Sequence, residues 1–263
     1  MVDAWTVAGG REAETHPGIR RIGVAEVRKA LAEGVDDFLA IPTQLIFLGL
    51  LYPLIGLVAA RAAWGGDLLP LLYPMVAGLS LMGPVAALGI YELSRRRERG
   101  EPVTWLNAFD VLRSPAIGSI AALSVLLAVI FVAWLTAARV IYAATLGDLP
   151  PDSIGSFART ILDTPQGWSL FLIGNAVGFC FALLVLVISV VSFPLLLDRN
   201  VGLATAIGTS VRACLANPGP MALWGLIVAA ALLLGCLPAF VGLAVAMPVL
   251  GHATWHLYRK VVV

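Results

Sequence analysis

Six long apolar stretches, separated by short connections, dominate the 263-residue chain: Ile41–Ala62, Leu68–Leu93, Ala116–Ala144, Trp168–Leu197, Pro218–Leu237 and Ala239–Leu257. Each is long enough to cross a hydrocarbon core about 30 Å thick as a helix. A chain that is 60% hydrophobic and 13% charged, with a mean hydropathy of +0.93, cannot bury that surface in a water-soluble globule. The expected fold class is therefore all-α: a polytopic bundle of six transmembrane helices with amphipathic helices at its cytoplasmic interface.

Charge placement orients the bundle. Arg11, Arg20, Arg21, Arg28 and Lys29 precede the first stretch, and Arg95, Arg96, Arg97, Arg99 and Arg113 follow the second. Arg199 and Arg212 follow the fourth, and Arg259 and Lys260 close the chain. With alternating crossings all four groups fall on one side, while Arg61, Arg139 and Arg159 belong to the other. The positive-inside rule then predicts that both termini and the second and fourth loops are cytoplasmic. The first forty residues contain charges and no separate apolar core of a signal peptide, so the first stretch is expected to serve as its own insertion signal. Cys180 and Cys236 fall within stretches and Cys214 on the cytoplasmic side. They read as small buried residues or free thiols rather than as a disulfide or a metal site.

The prolines suggest an internal repeat. An amphipathic stretch, then X-Pro, then an apolar span occurs at Ile41-Pro42, Ser114-Pro115 and Asn217-Pro218. Proline suits the first turn of a helix, where its missing N–H costs nothing. Val24, Val27, Leu31, Val35 and Phe38 share one helical face of the first preceding stretch; Trp105, Leu106, Phe109 and Leu112 share one in the second; Leu203, Ile207, Val211 and Leu215 share one in the third. Opposite them lie Glu26, Lys29, Glu33 and Asp36, then Asn107 and Asp110, then Thr205 and Arg212. Such segments are built to lie at headgroup level. Gly83-Pro84-Val85 leading to Tyr91-Glu92-Leu93-Ser94-Arg95-Arg96 aligns without gaps on Met247-Pro248-Val249 leading to Trp255-His256-Leu257-Tyr258-Arg259-Lys260. The middle counterpart, Phe193-Pro194 to Asp198-Arg199, keeps the proline, acid and base but not the spacing. Three units result, 20–98, 99–199 and 200–260, within a single domain, 20–263, behind a disordered tail, 1–19. The alternative is convergence on common membrane-helix features. In the one external loop of any size, Leu146–Gly167, the spacing of Ile154, Phe157 and Ile161 predicts a short surface helix.

Several ordered strings resemble a known family. They are Asp37-Phe38-Leu39-Ala40-Ile41-Pro42-Thr43, Tyr91-Glu92-Leu93-Ser94-Arg95-Arg96-Arg97, Leu112-Arg113-Ser114-Pro115, Ser192-Phe193-Pro194-Leu195-Leu196-Leu197-Asp198-Arg199 and Gly251-His252-Ala253-Thr254-Trp255-His256-Leu257-Tyr258-Arg259. Together they resemble a bacterial integral-membrane family designated domain of unknown function 2189. The resemblance implies a multi-span inner-membrane protein and no particular activity. An oxidase-subunit label attached to some members would call for an array of histidines, whereas this chain has His16, His252 and His256 alone.

A few residues could carry chemistry. His252 and His256, four apart, leave one face of the last helix and could share a metal, with Glu92 or Asp198 completing the set. The structural alternative places His256 in the interfacial belt and His252 in a bundle hydrogen bond. Glu92 and Asp198 sit beside Arg95 and Arg199, where a local ion pair competes with a role in ion or proton movement. Gly174-Asn175-Ala176-Val177-Gly178 is a small-xxx-small run, so Gly174 and Gly178 are expected at a helix contact bridged by Asn175. Asn175 and Gln44 could instead line a polar path with Glu92 and Asp198. Pro53, Pro74, Pro84, Pro194 and Pro248 predict kinks. The run Arg95-Arg96-Arg97-Glu98-Arg99 suits anionic lipid more than nucleic acid.

There is no phosphate-binding loop, nucleophile elbow, zinc-protease or dinucleotide motif, and nothing implies a cofactor or an enzyme. The leading expectation is a scaffold, assembly factor or accessory protein acting through lipid or a membrane-protein partner. A small transporter or channel is the rival, and a metal- or haem-handling protein a weaker third. Convergence of the polar side chains on one cavity would favour transport; dispersal along the cytoplasmic rim would favour scaffolding.

Overall fold

The computed structural model describes residues 17–41, 69–147, 151, 153–238 and 240–263. The first apolar stretch beyond Ile41, with Gln44, Pro53 and Arg61, lies outside them, as do residues 1–16. The described chain is all-α, and four of its helical runs are long and apolar enough to cross a membrane: Pro70–Glu98, Ile117–Leu146, Pro165–Asp198 and Pro218–Cys236.

Helix α1, Val24–Ala40, starts where the Gly23 N–H donates to Glu26 Oε2 at 2.7 Å. The first crossing among the described residues, corresponding to the second apolar stretch, is built from α2, Leu69–Leu79, a 3₁₀ turn at Ser80–Met82, α3, Gly83–Ala86, and α4, Leu88–Glu98. Pro84 in the first turn of α3 has no N–H to continue the ladder, which accounts for the break at 80–82. Helix α5, Ile117–Leu146, runs 30 residues, about 45 Å at 1.5 Å per residue. Its buried stripe is Ile120, Leu123, Leu127, Ile130, Trp134, Ala138 and Tyr142, the spacing of a single helix face. Val125, Val129, Val132 and Val140 are exposed on the rest of its surface.

The short helix expected between the third and fourth apolar stretches is α6, Ile154–Asp163, capped by Ser153 Oγ accepting from the Ser156 N–H at 3.1 Å. Then α7, Pro165–Ser189, opens with proline in its first turn, and α8, Ser192–Asp198, completes that crossing after a short break. Helices α9, Leu203–Ala216, α10, Pro218–Cys236, and α11, Leu243–Val261, follow. The sixth apolar stretch thus starts later and runs further than its hydropathy suggests. Helix α11 is not one of the four long apolar runs, because its second half carries His252, His256, Arg259 and Lys260.

Residues 105–113 differ from the expected α-helix: they form a 3₁₀ helix. With three residues per turn, every third side chain shares a row. Leu106, Phe109 and Leu112 are 56%, 55% and 65% exposed. Asn107, Asp110 and Arg113 form a hydrogen-bonded polar row beside them. Ala108 and Val111 face inward.

The same division governs the other interfacial helices. In α1 the buried residues are Val27, Ala30, Gly34 and Asp37, while Val24, Val35 and Leu39 are exposed. In α9 they are Thr205, Ala206, Thr209, Ser210, Ala213 and Cys214, with Leu215 exposed. Protein contact is made largely by small residues, with Val27, Leu31, Leu203 and Ile207 packed beside them, while Val24, Val35, Leu39 and Leu215 face outward. Beside lipid, large apolar groups gain little from burial in protein, whereas small residues let backbones approach.

Each of these segments packs on a long helix that ends at the same pole of the molecule. Helix α1 runs against α11, so close that a Cβ on Gly34 would lie 2.6 Å from Ala253 Cβ. Segment 105–113 packs on α4, where a Cβ on Gly89 would lie 2.9 Å from Ala108 Cβ. Helix α9 packs on α7 and α8, with Ser210 Oγ donating to Val187 O at 2.7 Å and Ser192 Oγ donating to Ala206 O at 3.1 Å. Residues 17–19, assigned from sequence to the tail, instead join the C-terminus. Ile19 bridges Val262 in antiparallel fashion, and Arg20 N–H donates to Val261 O at 2.8 Å.

Candidate functional site

The densest polar cluster lies where α1, α4 and α11 meet. Asp37 is 5% exposed. Its Oδ1 accepts from Arg97 Nη1 at 2.6 Å, and its Oδ2 accepts from Ser94 Oγ at 2.6 Å and His256 Nε2 at 2.8 Å. Burial raises the Asp37 carboxyl's proton affinity, but the hydrogen bonds from His256 and Ser94 outweigh it, leaving its pKa below the ordinary value. Around it, Lys260 Nζ donates to Glu33 Oε2 at 2.6 Å, and His256 Nδ1 lies 3.6 Å from the same oxygen.

The cluster also fixes a tautomer. Ser94 Oγ is 2.7 Å from His252 Nδ1 and has a single O–H, which donates to the ionised Asp37. A neutral His252 must then donate through Nδ1–H, leaving Nε2 as a bare acceptor. That atom is fully buried and has no hydrogen-bond partner among the described residues.

Two more networks line the same pole. Glu92, 1% exposed, accepts from Arg95 Nε at 2.8 Å and Arg96 Nε at 2.9 Å. Arg96 Nη2 reaches Asp110 at 3.0 Å, and Asp110 also binds Arg113 at 3.2 Å. These groups, with Ser114 and Pro115, line a cavity of about 260 Å³. In the third network Asp198 accepts from Tyr258 Oη at 2.7 Å and Arg259 Nη1 at 3.4 Å, with Arg199 Nε 3.8 Å away. Glu98 accepts from Trp255 Nε1 at 3.0 Å and Arg259 Nε at 2.9 Å.

The residues singled out in the sequence are therefore not brought together. His252 and His256 meet at Asp37, a residue the sequence reading left in a motif string, and neither Glu92 nor Asp198 joins them. Among the described residues no group of three or more His, Cys, Asp or Glu is placed to hold a metal ion. Asn175 sits elsewhere, accepting from Tyr73 Oη at 2.8 Å and donating to Phe171 O at 2.8 Å, on the wall of a largely apolar cavity of about 280 Å³ that includes Trp134, Tyr142 and Phe157. The packing expected at both glycines of the small-residue run divides. A Cβ on Gly178 would lie 3.0 Å from Trp134 Cη2, but one on Gly174 would meet nothing within 4 Å. Gly174 and Trp134 both line the cavity, and Trp134 Nε1 donates to Pro74 O at 2.8 Å. Cys214 is buried, Cys236 half-buried and Cys180 exposed, all as free thiols.

Asp37, Ser94, Arg97 and Glu98 were missed as site residues. Asp37 follows Val27, Ala30 and Gly34 at helical spacing, and a small-residue row ending in an acid was the available signal. A larger apolar stripe on the same helix masked it.

No curated protein and no solved structure matches the chain. Residues 72–198, just under half of its length, match the family described as "Predicted integral membrane protein (DUF2189)". The match runs through α2 to α8 and includes Glu92, Ser94, the arginine run and segment 105–113; Asp37, His252 and His256 lie beyond its limits. Four long apolar helical runs and this match together make the chain a multi-pass integral membrane protein that is similar to the DUF2189 family over residues 72–198.

Proposed function

We propose that the protein is a scaffold or accessory protein of the bacterial inner membrane, acting through lipid or a membrane-protein partner at its cytoplasmic pole. The observation that carries this reading is the dispersal of Glu92, Asp198 and the His252–His256 pair into separate, internally paired networks around one pole, with Asn175 elsewhere. Groups that move an ion or proton through a bundle have to succeed one another along a path. These instead tie helix ends together.

Six crossings with both termini cytoplasmic is the topology we infer. Pairing of Ile19 with Val262 requires an even number of crossings, and the basic residues gather at that pole. Three units, 20–98, 99–199 and 200–260, would close into a ring. The first segment of each packs on the closing helix of the unit before it: α1 on α11, 105–113 on α4, and α9 on α7 and α8. Small residues seven or eight positions before the proline of each X-Pro pair make these contacts, namely Gly34, Ala108 and Ser210.

Affinity purification of the full chain in mild detergent, with bound proteins, lipids, metal and haem measured in one sample, tests the reading. A reproducible protein or lipid partner is expected. Solute flux in proteoliposomes that is abolished by Asn175→Ala would overturn it in favour of transport.

A further inference from the structure

Of the three junctions in the ring, the one between 105–113 and α4 leaves a charged cavity open beside an apolar row. We propose that this cavity binds the phosphate headgroup of an anionic phospholipid from the cytoplasmic leaflet, with the acyl chains lying along Leu106, Phe109 and Leu112. The proposal rests on the scaffold reading and gives its lipid partner a site.

Three guanidinium groups, Arg95, Arg96 and Arg113, face two carboxylates, Glu92 and Asp110, across about 260 Å³. Within the lining itself the bases outnumber the acids by one, and Glu101, outside it, offsets part of that charge through Arg96. Glu92, buried in the lining, accepts from both Arg95 and Arg96, while Arg95 Nη1 also donates to Leu197 O at 3.2 Å. Two of the three bases are thus fixed in place before any anion arrives, which reduces the ordering cost of binding. Arg96 is further held by Asp110, and Glu101 lies 3.7 Å from its Nη1. Arg113 differs: its side chain is 87% exposed and only one of its nitrogens meets Asp110. It supplies the donors left for a phosphate, in the planar geometry that phosphate oxygens accept.

The adjoining row decides between a lipid and a soluble anion. Leu106, Phe109 and Leu112 stand one turn apart on the outward side of the 3₁₀ helix, and Arg113 immediately follows Leu112 in sequence. A soluble phosphate has no use for that row. A phospholipid presents both chemistries at this spacing, with charge at the headgroup and hydrocarbon just beneath.

Native mass spectrometry of the full chain, titrated with dioleoylphosphatidylglycerol or dioleoylphosphatidylcholine, tests the site. Wild type should retain phosphatidylglycerol in preference to phosphatidylcholine. Arg113→Gln should weaken that retention on the order of fivefold, the loss of one base near the surface, and Phe109→Ser should weaken it too. Arg199→Gln, away from the cavity, should leave it unchanged. Equal retention of the two lipids, or an Arg113→Gln protein that binds like wild type, overturns the proposal. So does competition by inorganic phosphate that Phe109→Ser does not alter, since the site would then serve a soluble anion. Because Arg113 is exposed, its replacement should not disturb folding, and an unchanged melting curve checks this. Lost lipid preference with the same co-purifying proteins would sink this site alone; loss of all reproducible partners from wild type would sink the scaffold reading itself.

Discussion

Replacing Asp37 with asparagine tests whether α1 is fastened by its acid or merely by its small-residue row. The carboxylate is 5% exposed and collects three hydrogen bonds, from Arg97, Ser94 and His256. Removing one member of a buried charge pair costs about 3–5 kcal/mol. The Arg97 side chain is 40% exposed and can turn to water, so its share is screened. Ser94 and His256 cannot escape as easily, and an asparagine amide would set a donor against one of the three donors. An effect of about 3 kcal/mol follows, which at roughly 2–4 °C per kcal/mol lowers the melting temperature by about 6–12 °C. The assay is folded monomer remaining after heating in mild detergent, followed by size-exclusion chromatography. Asp36→Asn, at the exposed neighbouring position, is the control and should shift stability by less than about 0.5 kcal/mol. Acid adds a second readout. Because the folded-state pKa of Asp37 lies below its ordinary value of 3.8, its stabilisation is complete above that pH and lost as pH falls through the folded value. Wild type should therefore lose stability below about pH 4 more steeply than Asp37→Asn. Equal melting of the Asp36 and Asp37 variants would refute the latch.

Three other outcomes are expected. Gly178→Leu should cost about 1–3 kcal/mol by driving a side chain into Trp134, whereas Gly174→Leu should be tolerated because its position is open; the reverse order in thermal stability would show that the helix contact is misplaced. Reporter fusions after Val263 and within Arg95–Val103 should read cytoplasmic and one within Gly147–Asp163 periplasmic, and a periplasmic C-terminus would defeat the six-crossing topology. Nitrogen-15 spectra should show His252 as the neutral Nδ1–H form, and purified protein should be metal-poor and colourless. Stoichiometric metal or haem lost on His252→Ala would instead make that histidine a ligand.

Hydropathy and punctuation were legible without a fold. The limits of the α5, α7 and α10 stretches follow from unbroken apolar composition, and Pro218 marks the first residue of α10 as its missing N–H requires. The outward row of segment 105–113 was visible in its spacing, although its 3₁₀ geometry was not. Both are local properties: each residue's preference for lipid or water is its own. Which face of α1 meets the protein is a different kind of question. Its answer depends on Ala253 and His256, the latter 219 positions away, and on the fact that lipid removes the usual reward for burying large side chains in protein. The sequence by itself therefore determined a multi-pass membrane protein and the segments that make it. Only the tertiary structure decided that Asp37, rather than Glu92 or Asp198, gathers the two histidines, because ion pairing is settled by which helix ends the closed bundle brings within about 3 Å of each other.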